Sequence, residues 1–367
     1  MSQTVFAAST ITWTGAAGDG LWHNAGNWDL NQIPVDNDYV AIPESSVVVY
    51  SGGETSVRLN CAGHLTVSGG TLKLASGNSS LTNGKLDGAG DITITAGGNF
   101  LWSGGSIEGS GKIIVDQNAN FYADQASLNR YLVNNGSLLI NGSSLTLTGG
   151  AEGGGYFPIQ EGETLELGGN GSYNISGQVG GSGTLIIANT CAAVRFSNTY
   201  YQQQSTGTMV FAVGGLADFT KLELSGQAYL AGKLELNLID EYVPQSGDTF
   251  EVMAYASKTG TFSSIAGNVP GISLVPTYTG TALTLTVQQV TVPAAPQSLN
   301  ATPGDGQVAL SWTAPASDGG AAITGYEVSK DNGASWVDAG LSTSYSFTSL
   351  INGTAYTFKV RAVNSAG

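Results

Sequence analysis

The sequence has 367 residues and a formal net charge of −15, with 12 lysines and arginines against 27 aspartates and glutamates. We therefore expect no binding to nucleic acid or to anionic membranes, since both need clustered positive charge. No apolar run reaches the length of a transmembrane helix, so we predict no direct membrane insertion. The 41% hydrophobic fraction and the lack of a Gly-X-Y period argue that the 53 glycines are turns between short strands, and against collagen or disorder.

Residues 1–9 end in the small and apolar residues that a signal peptidase reads, so we interpret them as a leftover signal peptide or a tag. Three tryptophans follow, namely Trp13, Trp22 and Trp28. Large aromatic side chains can cover the open end of a stack of strands. We therefore predict an N-terminal cap and the first coils over residues 10–60.

Two carboxylates, Asp36 and Asp38, precede an alternating strand that begins at Tyr39. Their hard oxygens are candidates for a calcium site, although such residues before a strand more often make an Asx turn. The two histidines, His23 and His64, share no metal-ligand spacing. We predict no cofactor.

An internal repeat marks residues 61–215. The form apolar-x-Gly-small-Gly-x-apolar-x-apolar begins at residues 86, 107 and 179, so the first two copies are 21 positions apart and the third lies 72 further on. If 72 positions are three coils of 24, all three copies occupy the same place in the coil. Such a period predicts the stacked coils of a parallel β-helix, with a β-sandwich as the alternative architecture.

The two cysteines, Cys61 and Cys191, lie 130 positions apart. In a solenoid with a period near twenty residues they are about six coils apart, roughly 29 Å at the spacing of neighbouring strands. This is beyond the reach of a disulfide. Both cysteines have apolar neighbours, so we predict buried free thiols.

Residues 216–289 alternate apolar and polar positions through Leu222–Leu236, continue through Pro244–Val252 and end with Gly260–Phe262. Together with the tryptophan-rich opening, this order resembles the closing and entry segments of bacterial secreted β-helix surface proteins, including adhesins and autotransporter-like passengers. The resemblance covers about residues 10–288. It implies an all-β, right-handed parallel β-helix with terminal caps, and residues 216–289 as its closing segment and C-terminal cap.

Residues 290–296 form a linker, because two prolines three positions apart favour an extended spacer. Residues 297–367 resemble a fibronectin type III domain, a β-sandwich. The resemblance makes Trp312 the core tryptophan of the second strand and places Leu350 and Tyr356 at the corner before the sixth. The match stops at Asn364–Gly367, so we expect an incomplete module whose last strand is missing.

One carboxylate pair is a candidate for catalysis. Asp87 and Glu108 hold equivalent positions in the first two copies of the repeat, so they are expected to stack on adjacent coils. Two neighbouring carboxylates are what glycoside hydrolysis requires. Asp91 has Lys112 as its equivalent, however, so the same region also predicts solvated ion pairs.

Aromatic residues in the less regular segments are candidates for contact with glycans, because an exposed ring can stack on the face of a sugar. They are Trp102, Tyr122, Tyr156, Phe157, Tyr200 and Tyr201. The alternative is that they pack inward against the solenoid.

These patterns favour a non-catalytic protein that is secreted or held at the cell surface. We expect a stalk or adhesin that displays a β-helix towards surface glycans or host and cell-surface proteins. A polysaccharide-binding or polysaccharide-degrading β-helix is the second hypothesis. A structural protein that self-associates through its ends is the third.

Overall fold

The structure, a computed structural model, describes residues 9–124, 126–197 and 201–367. The chain folds into two compact units. The first holds Met1–Tyr242, Glu251–Ile265 and Thr277–Thr284, and the second holds Val243–Phe250, Ala266–Pro276 and Leu285–Gly367.

The larger part of the chain is a parallel β-solenoid of about nine turns. Each coil passes through three sheets, which we number in chain order. Sheet 1 contains Tyr39–Ile42, the second half of Glu54–Cys61, Gly77–Leu81, Gly98–Trp102, Asn120–Ala123, Ser137–Ile140, Tyr156–Ile159, Gln178–Gly181 and Tyr201–Gln203. Thr10–Thr12 pairs with its first strand.

Sheet 2 follows sheet 1 in each coil. We give this name to two sets of strands that are not hydrogen-bonded to each other. The first set is Val47–Tyr50, His64–Val67, Lys85–Asp87 and Ser106–Ile107, and the second is Ala126–Leu128, Ser144–Leu147, Thr164–Leu167, Thr184–Ile187, Thr208–Gly215, Lys233–Leu238 and Ser264–Gly267. Asp218–Phe219 pairs antiparallel with Thr208–Gly215.

Sheet 3 completes the coil. It contains the first half of Glu54–Cys61, Thr71–Leu74, Asp91–Ile94, Ile113–Val115, Leu132–Asn134, Ala151–Gly153, Ser172–Ile175 and Ala193–Phe196. Two long strands, Leu222–Leu230 and Thr249–Gly260, run through sheets 3 and 1 in turn. Ile272–Tyr278 and Ala282–Gln289 follow them.

Apolar columns inside the coils hold the solenoid together. On sheet 3, Leu72, Ile92 and Ile113 are paired in register and fully buried. Burying such a side chain stabilises the fold by about 2 kcal/mol, while the alternate residues face solvent. A slip of one residue would turn every inward side chain outward, so the alternation also fixes the register.

Three tryptophan rings pack together at the start of the described solenoid. The rings of Trp13, Trp22 and Trp28 are buried, and Trp28 lies edge-on to the other two at centroid distances of 5.0 and 4.9 Å. A short 3-10 helix, Ala25–Asn27, shapes this turn, and the Asn24 side chain accepts the Gly26 N–H at its start. The three tryptophans therefore form one buried aromatic cluster, and an N-terminal cap over residues 10–60 stays a prediction.

The repeat is confirmed for its first two copies and wrong for the third. Lys85–Leu86 pairs with Ser106–Ile107, which gives the predicted step of 21 residues, and these copies turn from sheet 2 into sheet 3. The third copy turns from sheet 1 into sheet 2, because Gln178–Gly181 belongs to sheet 1. The glycine motif is thus a corner that recurs at different places in the coil.

Both cysteines are free and buried, as predicted. Burial raises the pKa of the Cys61 thiol to about 12 and that of Cys191 to about 11. Thiols held in this protonated form are poor nucleophiles.

Six strands after residue 296 form a β-sandwich. One sheet contains Gln297–Gly304, Gln307–Thr313 and Ser344–Phe347, and the other contains Gly325–Ser329, Val337–Gly340 and Lys359–Val363. Trp312 packs on Tyr326 in the core at a centroid distance of 5.6 Å. The Tyr356 hydroxyl accepts the N–H of Ile351, the hydrogen bond expected at a tyrosine corner.

Candidate functional site

A groove in the described solenoid lies on the outer face of sheet 1. It has a volume of about 760 Å³, and its lining residues come from Thr10 and from six successive coils. Most of its lining residues alternate with buried positions such as Val40 and Leu59, so the strand pattern itself directs their side chains outward. The described residues that line it are Thr10, Tyr39, Val40, Ala41, Arg58, Leu59, Asn60, Asn78, Ser79, Ser80, Asn99, Leu101, Tyr122 and Asn141.

A row of asparagines runs along the groove. Asn99 Nδ2 donates to Asn78 Oδ1 at 3.0 Å, and Asn120 Nδ2 donates to Asn99 Oδ1 at 2.8 Å. Each carboxamide offers two N–H donors and an acceptor oxygen with two lone pairs, and the ladder uses only part of this capacity. The row therefore presents alternating donors and acceptors at the spacing of the coils.

Tyr39 and Arg58 form one end of the groove. The Tyr39 ring is 45% exposed, and the guanidinium carbon of Arg58 lies 3.9 Å from its centroid. Arg58 Nη1 donates to the Tyr39 hydroxyl, and Nη2 donates to the carbonyl oxygen of Asn37 at 3.3 Å. Gly77 leaves room for the arginine stem, since a Cβ there would lie 3.2 Å from Arg58 Cδ. The cation is thus held over an aromatic ring.

Tyr122 lies further along the groove, in register with Leu101 on the preceding coil. It is the glycan-contact candidate that the structure places in this groove. The asparagine row, Tyr39 and Arg58 were missed by sequence reasoning. A signal was present, because Asn78, Asn99 and Asn120 recur at the 21-residue step of the repeat.

The other aromatic candidates are distributed differently. Trp102 and Phe157 are 2% and 1% exposed, so both belong to the core, although Trp102 also lines a separate cavity of about 620 Å³. Tyr156 is 44% exposed and lines a separate cavity of about 380 Å³ with amide side chains such as Gln117 and Gln178. Tyr200 lies outside the described residues, and Tyr201 is described only by its strand pairings with Val179 and Ala228.

The carboxylates of Asp87 and Glu108 lie on adjacent coils of sheet 2, with a lysine between them. Lys85 Nζ is 3.3 Å from Asp87 Oδ2 and 2.8 Å from Glu108 Oε2. His64 Nε2 lies 2.9 Å from the same oxygen of Asp87. The structure thus brings the candidate pair together, but as part of a network of opposite charges.

This network keeps both carboxyl groups ionised. Burial raises the pKa of Asp87, but the Thr66 hydroxyl, His64 and Lys85 outweigh burial and bring the pKa below its ordinary value. The hydrogen bond from Lys85 likewise lowers the pKa of Glu108. Glycoside hydrolysis by a carboxylate pair needs one group with a raised pKa as the general acid. The geometry therefore favours an ion-pair role for Asp87 and Glu108.

The candidate calcium ligands are engaged with the backbone. Asp38 is 2% exposed, and its two oxygens accept the N–H groups of Ser9 and Val35, both at 2.9 Å. Asp36 Oδ1 accepts the N–H of Ser56 at 2.8 Å. These are the turn-stabilising roles that acidic residues take before a strand. Within the described ranges, no group of three or more His, Cys, Asp or Glu side chains is arranged to hold a metal ion.

Comparison with known proteins identifies the C-terminal module. Residues 294–367 match the family "Fibronectin type III domain", so this part of the chain is a fibronectin type III domain. Among the described residues, no helix is long and apolar enough to cross a membrane.

Similar proteins match only part of the chain. Exoglucanase A of Cellulomonas fimi is 39% identical over 28% of this chain, and Exoglucanase B of the same organism is 36% identical over 28%. Myosin-binding protein C, fast-type, of Gallus gallus is 41% identical over 23%. The matches span 12%, 9% and 8% of the lengths of these three proteins. A solved structure of titin kinase and its flanking domains shares 34% identity over 21% of this chain and 15% of its own, with a TM-score of 0.18.

Proposed function

We propose that this chain is a non-catalytic extracellular surface protein of the adhesin type, and that its solenoid binds glycans in the groove on sheet 1. The observation that carries the proposal is the lining of this groove. It holds Asn78 and Asn99 of the asparagine row, the exposed ring of Tyr39 at one end, and Tyr122 on the coil where the row reaches Asn120. The proposal assigns glycan binding to the solenoid. It assigns no binding role to the fibronectin module, which is a domain of the same extracellular protein.

The chemistry of the groove suits a sugar chain. Sugar hydroxyls both donate and accept hydrogen bonds, and the carboxamides of Asn60, Asn78 and Asn99 do the same. Aromatic rings offer apolar faces on which a pyranose can stack, while ligand sites generally combine apolar walls with a few polar groups. The asparagine side chains recur at a regular spacing from coil to coil, which suits a ligand that is itself a repeating polymer.

The composition and the comparisons support the extracellular setting. A fibronectin type III domain follows the solenoid, and two proteins with similar segments are named exoglucanases. The ionised state of Asp87 and Glu108 favours binding over cleavage, because neither carboxyl group is suited to donate a proton at neutral pH.

A glycan array with matched tyrosine variants tests the proposal. We expect the wild-type chain to bind a class of polysaccharide and Tyr122→Ala to weaken that binding about tenfold, since a stacking contact is worth roughly 1.4 kcal/mol. Tyr131→Ala is the control, because Tyr131 lies at the start of a sheet 3 strand, under Lys112, outside the groove.

Two results would contradict glycan binding in this groove. One is a wild-type chain that binds no glycan on the array. The other is equal weakening by Tyr122→Ala and Tyr131→Ala, which would indicate a general loss of folding. Release of reducing sugar by the wild-type chain, abolished by Glu108→Gln, would overturn the non-catalytic part of the proposal.

A further inference from the structure

The charge inside the groove is the reverse of the charge on the chain. The protein carries a net charge of −15, yet none of the described residues that line the groove is an aspartate or a glutamate. Arg58 is the one lysine or arginine among them. A concave site of this kind focuses a positive potential at one end of an otherwise neutral surface.

Arg58 has no carboxylate partner among the described residues, and the neighbouring acidic groups are engaged elsewhere. Both oxygens of Asp38 accept backbone N–H groups, and Asp36 Oδ1 accepts the N–H of Ser56. Arg195 on sheet 3 shows the usual alternative, since its Nε lies 2.7 Å from Glu223 Oε2. The charge of Arg58 is therefore available to a ligand.

The guanidinium of Arg58 is held in position by two hydrogen bonds and keeps unused N–H donors. A guanidinium has five N–H groups, and Arg58 gives one from Nη1 to Tyr39 and one from Nη2 to Asn37. Its Nε–H is buried with no partner among the described residues. Each terminal nitrogen keeps one N–H for an anion, and the stacking on Tyr39 reduces the entropy lost on binding.

We propose that the glycan bound on sheet 1 carries an anionic group, a uronate carboxylate or a sulfate, that pairs with Arg58 while uncharged sugars lie on the asparagine row. This inference rests on the proposed function. From the coil of Arg58 to that of Tyr122 there are three steps, about 14 Å at the spacing of neighbouring strands. Because this stretch has no second cation among the described lining residues, the ligand is a mostly neutral chain with a single acidic sugar in the segment that the groove holds.

The experiment extends the glycan array with matched pairs, each an acidic oligosaccharide and its uncharged form. Uronate-bearing glycans are paired with their carboxyl-reduced forms, and sulfated glycans with their desulfated forms, which distinguishes the two sources of the anion. We expect the wild-type chain to prefer the acidic member of one pair about tenfold or more, as a charge-assisted hydrogen bond allows. High salt should reduce this preference.

Substitutions then assign the preference to one residue. Arg58→Gln should bind both members of the pair with the affinity that the wild-type chain shows for the uncharged form. Arg58→Lys keeps the charge without the planar fork and should retain part of the preference. Arg195→Gln removes an arginine from a different sheet and should behave as the wild-type chain does.

The possible failures of the two proposals are distinguishable. Equal binding of acidic and uncharged members by the wild-type chain overturns the acidic ligand and leaves glycan binding in the groove intact. A preference that survives in Arg58→Gln, or that Arg195→Gln also loses, overturns the assignment to Arg58. Binding to no glycan at all overturns the proposed function together with this inference.

Discussion

At Asp87, a mostly buried carboxylate belongs to a network of side chains on three successive coils of sheet 2. His64, Asp87 and Glu108 occupy neighbouring coils, and Lys85 joins the last two. The side chain of Asp87 is only 18% exposed, so its ion pairs are less screened than those at the surface. The network therefore contributes to the stacking of the coils as well as to their solubility.

Stability should depend on pH through this carboxylate. The fold lowers the pKa of Asp87, so the fold favours its ionised form. The resulting stabilisation is fully present above the ordinary aspartate pKa of about 4 and is lost as the pH falls through the lowered value in the folded state. We expect Asp87→Asn to reduce the free energy of unfolding by about 1 kcal/mol at pH 7 and by less at acidic pH.

Urea denaturation at several pH values measures this difference. Glu54→Gln is the control, because the side chain of Glu54 is 66% exposed in its pair with Lys73 and should contribute little. A difference between Asp87→Asn and the wild-type chain that stays constant from pH 7 to below pH 4 would contradict the account.

At the scale of the elements, glycines decide how closely the corners of successive coils approach. A Cβ at Gly111 would lie 2.0 Å from the carbonyl oxygen of Gly90 on the preceding coil and 2.7 Å from Arg130 Nη2. Arg130 itself is buried and donates to the carbonyl oxygens of Gly88 and Gly90 from two coils away. The glycine motif of the sequence is thus a site of backbone contact between coils.

Gly111→Ala should reduce the free energy of unfolding by about 3 kcal/mol or more, because the backbone of the preceding coil at Gly90 must move. Gly280→Ala is the matched control, since no atom lies within 4 Å of its Cβ position and its φ is not positive. That substitution should leave stability unchanged or slightly raised. Equal midpoints for the two variants in urea denaturation would exclude tight stacking at Gly111.

The sequence predicts the repeating architecture of this fold but not the direction of each aromatic side chain. Alternation and the 21-residue step indicate the solenoid, its buried columns and the adjacent positions of Asp87 and Glu108. The face that each aromatic residue takes depends on the parity of its position within a short strand. Tyr122 and Tyr156 point outward, whereas Trp102 and Phe157, one position out of phase with their exposed neighbours, point inward.

The asparagine row is hard to predict from the sequence for a different reason. Asn78, Asn99 and Asn120 follow the same period as the glycine corners, but a single polar residue in a strand has no apolar pattern to draw attention to it. Arg58 becomes part of the site only because the coil before it supplies Tyr39. Contacts between coils of unequal length need the register itself, which the degenerate repeat does not supply.

At the scale of the whole molecule, the segment after the last solenoid strand is fixed to the fibronectin module by hydrogen bonds. The N–H of Thr291 donates to the carbonyl oxygen of Gly319 at 2.8 Å, and that of Ala294 donates to Ser317 at 3.0 Å. Asn364, which is 5% exposed, donates from Nδ2 to the carbonyl oxygens of Thr291 and Asp318. Thr291 of the predicted spacer is therefore bonded to the module, whereas the Ala294 bond lies within the residues that match the fibronectin family.

Asn364→Ala should release this segment without unfolding the module. Its two carbonyl partners lose a buried donor, so we expect the amides of Thr291 and Ala294 to exchange with solvent about tenfold faster, as a local opening would allow. Hydrogen–deuterium exchange of a peptide spanning residues 290–296 measures the effect. Asn352→Ala is the control, because Asn352 is exposed and bonds Asp305 and Gly306 at the other side of the module. Unchanged exchange in Asn364→Ala would show that the linker is held by its backbone hydrogen bonds alone.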